Sequence, residues 1–175
     1  KKKLSFTKSI SHKENLYKML YRWHLAPARL AKIYTTANPK CWKCNEKHGT
    51  FYHLWWTCPE TRKFWIRTKK WVEEITGCGL EWKPELFLLE IIKGDYPPKM
   101  RYLIIHLLTA ARITLAQYWK TSQIPPIHIS IQKIYKCAEM EKLTLKLNGK
   151  DDTEYYTIWN KWYNWIEIRR REKGK

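Results

Sequence analysis

The sequence has few acidic residues, few glycines and no long uninterrupted apolar run. Asp and Glu total 16 against 34 Lys and Arg, so the formal net charge is +18, and only 6 of the 175 residues are Gly. The longest apolar stretch, from Tyr102 to Trp119, contains His106 and Arg112, which indicates a buried helix rather than a membrane span. The five cysteines are an odd number, which argues against a secreted disulfide scaffold.

The sequence also lacks the motifs of common catalytic sites. It contains no glycine-rich phosphate loop, no G-x-S-x-G and no cluster of carboxylates suited to a polymerase metal site. Asp151 and Asp152 are adjacent, but they stand at the predicted start of a helix, where negative charge is favourable. We therefore expect no catalytic site in this chain.

Positive charge and aromatic side chains are abundant. Apolar residues make up 44% of the chain, which also contains 11 Trp and 11 Tyr, so a folded core is expected rather than a disordered basic tail. A folded, basic, aromatic-rich chain is typical of proteins that bind nucleic acid. The alternative is a protein whose basic surface is merely solvated.

Helical periodicity predicts an all-α chain with one small irregular Cys/His loop. We expect an N-terminal helical connector over 1–40, a Cys/His motif plus a helix over 41–79, a linker over 80–98 and a C-terminal helical subdomain over 99–175. Because the chain begins with lysines rather than Met, we interpret it as a piece of a larger protein.

Local signals place the helices within these regions. Two capping boxes are predicted, one at Ser11 and Glu14 and one at Thr57 and Glu60. The first helix should place Leu16, Leu20 and Trp23 on one apolar face, with Tyr17 beside them. The third should run from about Pro59 to Thr76 and end at Gly77.

The C-terminal half should contain the longest and most central helix, over 99–121. Residues 127–131 alternate like a strand, but the longer pattern favours a helix.

Residues 41–58 contain three of the five cysteines and two of the six histidines. Cys41, Cys44, His53 and Cys58 follow the pattern C-x2-C-x8-H-x4-C, whose second half has the spacing of a zinc knuckle. Thiolate and imidazole ligands suit Zn²⁺, and four protein ligands make such a site structural. His48 is the alternative fourth ligand. The other interpretation is a set of buried cysteines beside a hydrogen-bonded His.

The same region interleaves lysines with aromatics, as single-strand binding platforms do. Lysines and arginines would contact phosphates, and aromatics would stack on bases. We expect Trp42 to be exposed and one of Trp55 and Trp56 to pack. The candidate nucleic-acid-binding residues are Lys40, Trp42, Lys43, Lys47, Trp55, Arg62, Lys63, Arg169, Arg170 and Arg171.

One enzyme pattern is approached but not matched. His12 and Glu14 form H-x-E, and Cys41 and Cys44 follow Pro39 closely, as in zinc nucleobase deaminases. An extra residue separates Pro39 from Cys41, and too few residues precede His12 for the strands of that fold. We therefore disfavour this interpretation.

Longer stretches resemble the C-terminal segment of LINE-type (non-LTR) retrotransposon reverse transcriptases. The resemblance covers about residues 12 to 168, and its Cys/His block is the specific part. The stretches that carry it are Tyr21-Arg22-Trp23-His24-Leu25-Ala26-Pro27-Ala28-Arg29-Leu30, Cys41-Trp42-Lys43-Cys44, His53-Leu54-Trp55-Trp56-Thr57-Cys58-Pro59, Phe64-Trp65, Ala110-Ala111-Arg112-Ile113, Trp119-Lys120, Pro125-Pro126 and Glu154-Tyr155-Tyr156 with Trp159 and Trp162.

The resemblance implies a role for the chain. The parent polyprotein of such an element is an RNA-directed DNA polymerase and endonuclease, whose catalytic domains would lie upstream of this segment. The segment itself would bind RNA or the RNA/DNA substrate, within a cytoplasmic ribonucleoprotein and in the nucleus, with no membrane partner. Cys41, Cys44, His53 and Cys58 would take the family's Cys/His positions. The alternative is a scaffold that docks the upstream polymerase or a host protein.

Overall fold

A computed structural model describes residues 9–174, and it confirms the all-α prediction. Lys1 to Lys8 and Lys175, which belong to the predicted terminal regions, lie outside the described residues. The helices are α1 (Ile10–Leu20), α2 (Pro27–Ile33), α3 (Pro59–Thr76), α4 (Pro84–Leu89), α5 (Pro98–Gln117), α6 (Ile127–Leu147) and α7 (Thr153–Lys173), with a π-helical turn over His53–Thr57. Within the described part, extended pairing is limited to one isolated bridge, between Lys40 and His48.

Helix α5 lies at the centre of the fold. It packs against α1, α3, α4, α6 and α7, and it is buried around most of its circumference from Leu103 to Leu115. Its 20 residues make it one residue shorter than α6 and α7, so the prediction that it is the longest helix is wrong. Residues 127–131 lie in the first turns of α6, as the longer pattern predicts.

Prolines, rather than capping boxes, mark the helix starts. Four of the described helices begin at a proline, whose fixed φ suits the first turn: Pro27, Pro59, Pro84 and Pro98. The two predicted capping boxes are wrong. Ser11 already lies inside α1, and Thr57 lies inside the π-helical turn. Gly77 ends α3 in the left-handed conformation, with φ of 70°, as predicted.

The buried face of α1 differs from the predicted one. Its buried residues are His12, Asn15 and Met19, whereas Trp23 beyond the helix is 68% exposed. The reason lies in α5, where the fully buried Arg112 donates a hydrogen bond of 3.0 Å from Nε to Asn15 Oδ1. Because Asn15 accepts this hydrogen bond, the face of α1 that carries Asn15 turns toward α5.

The stretch 80–98, predicted as a linker, contains α4, and Leu86, Phe87 and Leu88 of this helix are buried. One hydrophobic cluster extends from Met19 to Trp165 and includes these three residues. None of the described helices has the length and apolar character needed to span a membrane.

Candidate metal centre and nucleic-acid interface

A tight loop presents the first two cysteines. The Lys40–His48 bridge closes it, and the Cys41 N–H donates to the Lys47 carbonyl oxygen at 2.9 Å. Inside the loop, the Asn45 N–H donates to the Cys41 carbonyl at 2.9 Å, and Asn45 adopts a positive φ of 56°. This turn brings the side chains of both cysteines to one side.

The π-helical turn His53–Thr57 presents the other two residues. The Cys58 N–H donates to the His53 carbonyl oxygen at 2.8 Å, the i to i−5 bond that defines a π-helix. The four-residue spacing between His53 and Cys58 thus corresponds to one wide turn. Cys58 directly precedes Pro59, the first residue of α3, so this ligand position is anchored to a long helix.

The four predicted ligand residues meet at one point. The Sγ atoms of Cys41, Cys44 and Cys58 and a ring nitrogen of His53 all lie within 4.8 Å of one another. The Cys41 and Cys58 Sγ atoms are 3.8 Å apart, and Cys44 Sγ lies 3.4 Å from His53 Nε2. Tetrahedral Zn²⁺ with Zn–S bonds of about 2.3 Å separates its sulfur ligands by about 3.8 Å. The residues therefore fit a zinc-knuckle-like site, and the exposed His48 is not among them.

Thr57 orients the histidine of this cluster. His53 Nδ1 lies 3.1 Å from Thr57 Oγ1, so a proton on Nδ1 leaves the Nε2 lone pair facing Cys44. Burial, with Lys47 nearby, lowers the pKa of His53, which favours the neutral ring that can bind a metal.

The thiols differ in their surroundings. Burial raises the pKa of Cys41 to about 12. Burial also acts to raise the pKa of Cys44. Hydrogen bonds from the backbone N–H groups of Lys47 and Glu46, together with those from the thiols of Cys41 and Cys58, outweigh burial, so this pKa is lowered. A divalent cation would displace the thiol protons, because thiolate is the ligating form.

Lys43 does not face solvent, contrary to its predicted contact with phosphate. Its side chain is 7% exposed, and its Nζ donates to the carbonyl oxygens of Tyr118, Thr121 and Gln123 at 2.5, 2.7 and 2.8 Å. Burial lowers its pKa to about 8. Lys43 therefore joins the Cys/His loop to the chain that follows α5.

The tryptophans of the motif belong to the core. Trp55 has no exposed surface, so the prediction that it stacks on bases is wrong. Trp56 is also buried, at 8% exposure. Trp42 is half-buried, not exposed as predicted, and its ring meets Trp119 edge-on at 6.2 Å.

The other predicted binding residues lie at the surface in two places. Lys40, Lys47, Arg62 and Lys63 are exposed near the Cys/His motif, although Lys63 forms an ion pair of 2.8 Å with Glu60. On α7, Arg171 pairs with Glu167 at 2.5 Å, and the half-buried Arg169 lies over the Trp165 ring at 4.4 Å. Arg169 and the exposed Arg170 line a separate groove of about 810 Å³ beside α6.

Sequence reasoning missed a basic groove between α2 and the Cys/His loop. This groove has a volume of about 440 Å³. The Ala28 N–H donates to the Gly49 carbonyl at 3.0 Å and holds the two walls together. Three exposed aromatic residues flank α2 in the sequence: Tyr21 is 78% exposed, Trp23 is 68% exposed and Tyr34 is 61% exposed. The alternation of aromatic and basic residues in Tyr21-Arg22-Trp23 is the sequence signal that could have indicated this groove. Side chains that line the groove are Arg22, His24, Arg29, Lys32, His48, Thr50 and Phe51.

The deaminase interpretation finds no support in the geometry. His12 groups with His106 and Cys137, not with Cys41 and Cys44. Glu14 is exposed and pairs with Lys18 at 2.7 Å.

No protein-family model matches the sequence.

Proposed function

We propose that this chain is the nucleic-acid-binding C-terminal segment of a LINE-type reverse transcriptase. It would hold template RNA, or the RNA/DNA substrate, for a polymerase upstream in the same polyprotein during target-primed reverse transcription. Its partners would then be RNA or DNA and the upstream polymerase and endonuclease domains, in a cytoplasmic ribonucleoprotein and in the nucleus.

The observation that carries this proposal is that the basic groove and the Cys/His loop share a wall. His48 and Phe51 follow Cys44 in the loop, and they line the same groove as Arg22, Arg29 and Lys32. Positive charges beside aromatic surface are the elements of single-strand recognition. A structural zinc ion would hold the loop in place and perform no chemistry itself.

Phosphate contact and base stacking are assigned to different residues in this proposal. The cations of the groove would contact phosphates together with the exposed Lys40, Lys47 and Arg62. Trp23 and Tyr34 replace Trp55 as the residues that stack on bases, because their rings are exposed. Phosphate contacts of this kind give affinity without sequence specificity.

Salt dependence tests the phosphate contacts. With about six phosphates neutralised, the affinity for single-stranded RNA should fall on the order of a thousandfold between 50 and 200 mM salt. Fluorescence anisotropy with a labelled RNA measures this slope. Affinity that hardly changes with salt would contradict the proposal.

Charge reversal tests the location. Arg29→Glu with Lys32→Glu should abolish most RNA binding, because both side chains line the groove. Lys146→Glu with Lys150→Glu is the matched control, since it makes the same change in net charge at exposed positions near the end of α6. Equal losses of affinity in the two variants would show that only total charge matters.

A docking scaffold remains the second candidate, and one observation favours it. The outer face of α1 and the residues after it expose large apolar side chains: Tyr17 at 62%, Leu20 at 55%, Tyr21 at 78% and Trp23 at 68%. Exposed apolar patches mark interaction sites. If docking is the main role, the groove variants should still bind the upstream polymerase in a pull-down, and Leu20→Glu should abolish that binding.

A further inference from the structure

A second group of potential metal ligands lies at the junction of three helices. His12 comes from α1, His106 from α5 and Cys137 from α6. One ligand atom from each lies within 4.8 Å of the others. No residue of the Cys41–Cys58 cluster belongs to this group.

The histidine tautomer at this junction can be assigned. His106 is 1% exposed, and its Nδ1 lies 2.8 Å from the Tyr102 carbonyl oxygen. A carbonyl oxygen only accepts hydrogen bonds, so Nδ1 must carry the proton and Nε2 must carry a lone pair. Among the described residues, Nε2 has no hydrogen-bond partner.

His12 also has an unpartnered ring nitrogen. It is 5% exposed, and its Nδ1 also has no hydrogen-bond partner in the described part of the chain. The two ring centroids are 5.0 Å apart. Buried polar atoms are nearly always hydrogen-bonded, because an unpaired one has lost its water without gaining a partner. Two histidines with unpartnered nitrogens, each with a ligand atom within 4.8 Å of the other and of the Cys137 thiol, point to a ligand common to all three.

We propose that His12, His106 and Cys137 bind a second Zn²⁺ ion. Two imidazoles and one thiolate are borderline ligands that suit this cation. The Tyr102 carbonyl oxygen accepts a hydrogen bond from His106 Nδ1, which would orient this histidine as a ligand. The ion would join α1, α5 and α6 at this junction.

The fourth position of this site would be open to solvent. A groove of about 590 Å³ reaches His12 and Cys137 from the surface. The carboxylate of Glu141, which lines this groove, is committed elsewhere, because it accepts hydrogen bonds from Tyr102 OH at 2.6 Å and from Trp159 Nε1 at 3.0 Å. Three protein ligands plus water distinguish this site from the closed Cys/His knuckle.

Native mass spectrometry of the zinc-loaded chain tests the proposal. We expect two zinc ions per chain in the wild type and one in Cys137→Ser. Cys78→Ser is the matched control, because Cys78 is half-buried like Cys137 but lies outside both clusters; it should retain two. Cys44→Ser should retain one and the double variant Cys44→Ser with Cys137→Ser none.

The outcomes separate the two sites. A wild type with a single zinc that is lost in Cys44→Ser, or a Cys137→Ser variant that still holds two, would overturn the proposal. If the wild type holds a single zinc that is lost only in Cys137→Ser, the proposal is supported, and the Cys41–Cys58 cluster binds no zinc. If circular dichroism shows that Cys137→Ser is unfolded, His12→Asn provides the same test.

Discussion

The ammonium group of Lys43 donates a hydrogen bond of 2.7 Å to the carbonyl oxygen of Thr121, 78 residues further along the chain. It also binds the carbonyls of Tyr118 and Gln123. Tyr118 is the C-terminal cap residue of α5, and a cation at this end of a helix is favourable. The C-x2-C turn is thereby fastened to the end of α5, which explains how a short irregular loop keeps a defined position.

Lys43→Met should lower the free energy of unfolding by about 1–3 kcal/mol, because it removes a charged donor from three part-buried hydrogen bonds to carbonyls. Urea denaturation measures this change. Lys47→Met is the matched control: Lys47 is exposed, so its stability should stay within about 0.5 kcal/mol of wild type while RNA affinity falls. A Lys43→Met variant as stable as wild type would contradict the role assigned to these bonds.

Thr57→Val should weaken zinc binding at the knuckle by about 10- to 100-fold, since the hydroxyl partner of a ligating histidine is lost. Valine keeps the shape of the side chain. Competition with a chromophoric chelator gives the zinc affinity, and Thr36→Val, at an exposed position, is the control. Equal affinities in the two variants would mean that Thr57 does not orient His53.

Spacing was sufficient to predict the knuckle but not the neighbours of its residues. The C-x2-C and H-x4-C patterns depend on local turns, so they predicted the ligand cluster correctly. The direction of Lys43 depends on carbonyls far along the chain, and no local pattern contains them. Trp55 was misassigned for a related reason: Trp119 meets it in the core at 5.2 Å between ring centroids.

Helix existence was likewise easier to predict than helix orientation. The apolar period of α3 placed Phe64, Trp71 and Ile75 correctly in the core. The same method failed for α1, because its buried face is chosen by Asn15, the partner of Arg112 97 residues away. Apolar periodicity cannot predict which polar residues are buried because they bind partners far away in the sequence.

Gly49→Ala should lower the free energy of unfolding by about 1–3 kcal/mol through overpacking. A Cβ atom at Gly49 would lie 2.8 Å from Pro27 Cγ and 3.0 Å from the Cys41 Cα. At Gly79 the nearest atom, Glu73 Oε1, would be 3.9 Å away, so Gly79→Ala is the matched control and should be tolerated. Thermal unfolding of the two variants makes the comparison, and similar melting temperatures would show that Pro27 and the loop can separate without cost.

Glu90→Gln should be strongly destabilising, by about 3–5 kcal/mol, because it leaves the buried guanidinium of Arg112 without its counter-charge. Arg112 has no exposed side-chain surface, whereas Glu90 is 15% exposed. Glu85→Gln is the control: its contact with Lys93 is 4.0 Å long and more exposed, and such surface pairs contribute about 0–1 kcal/mol. Denaturant titration measures both, and equal effects would contradict the importance of the buried pair.

His24 should make the protein less stable in mild acid. Its ring lies 5.6 Å from that of Trp55 and 5.4 Å from that of Trp119, and burial, followed by the charge of Lys18, lowers its pKa below the ordinary 6.5. The unfolded chain then binds this proton more readily than the folded one, so stability is lost as the pH falls below about 6.5. His24→Asn removes the titrating group. We therefore compare the two proteins by subtracting the free energy of unfolding of His24→Asn from that of wild type. The contributions of the other histidines largely cancel in this difference. It should be smaller at pH 5 than at pH 7.5. A difference that is the same at both pH values would mean that His24 accepts a proton equally well in the folded chain.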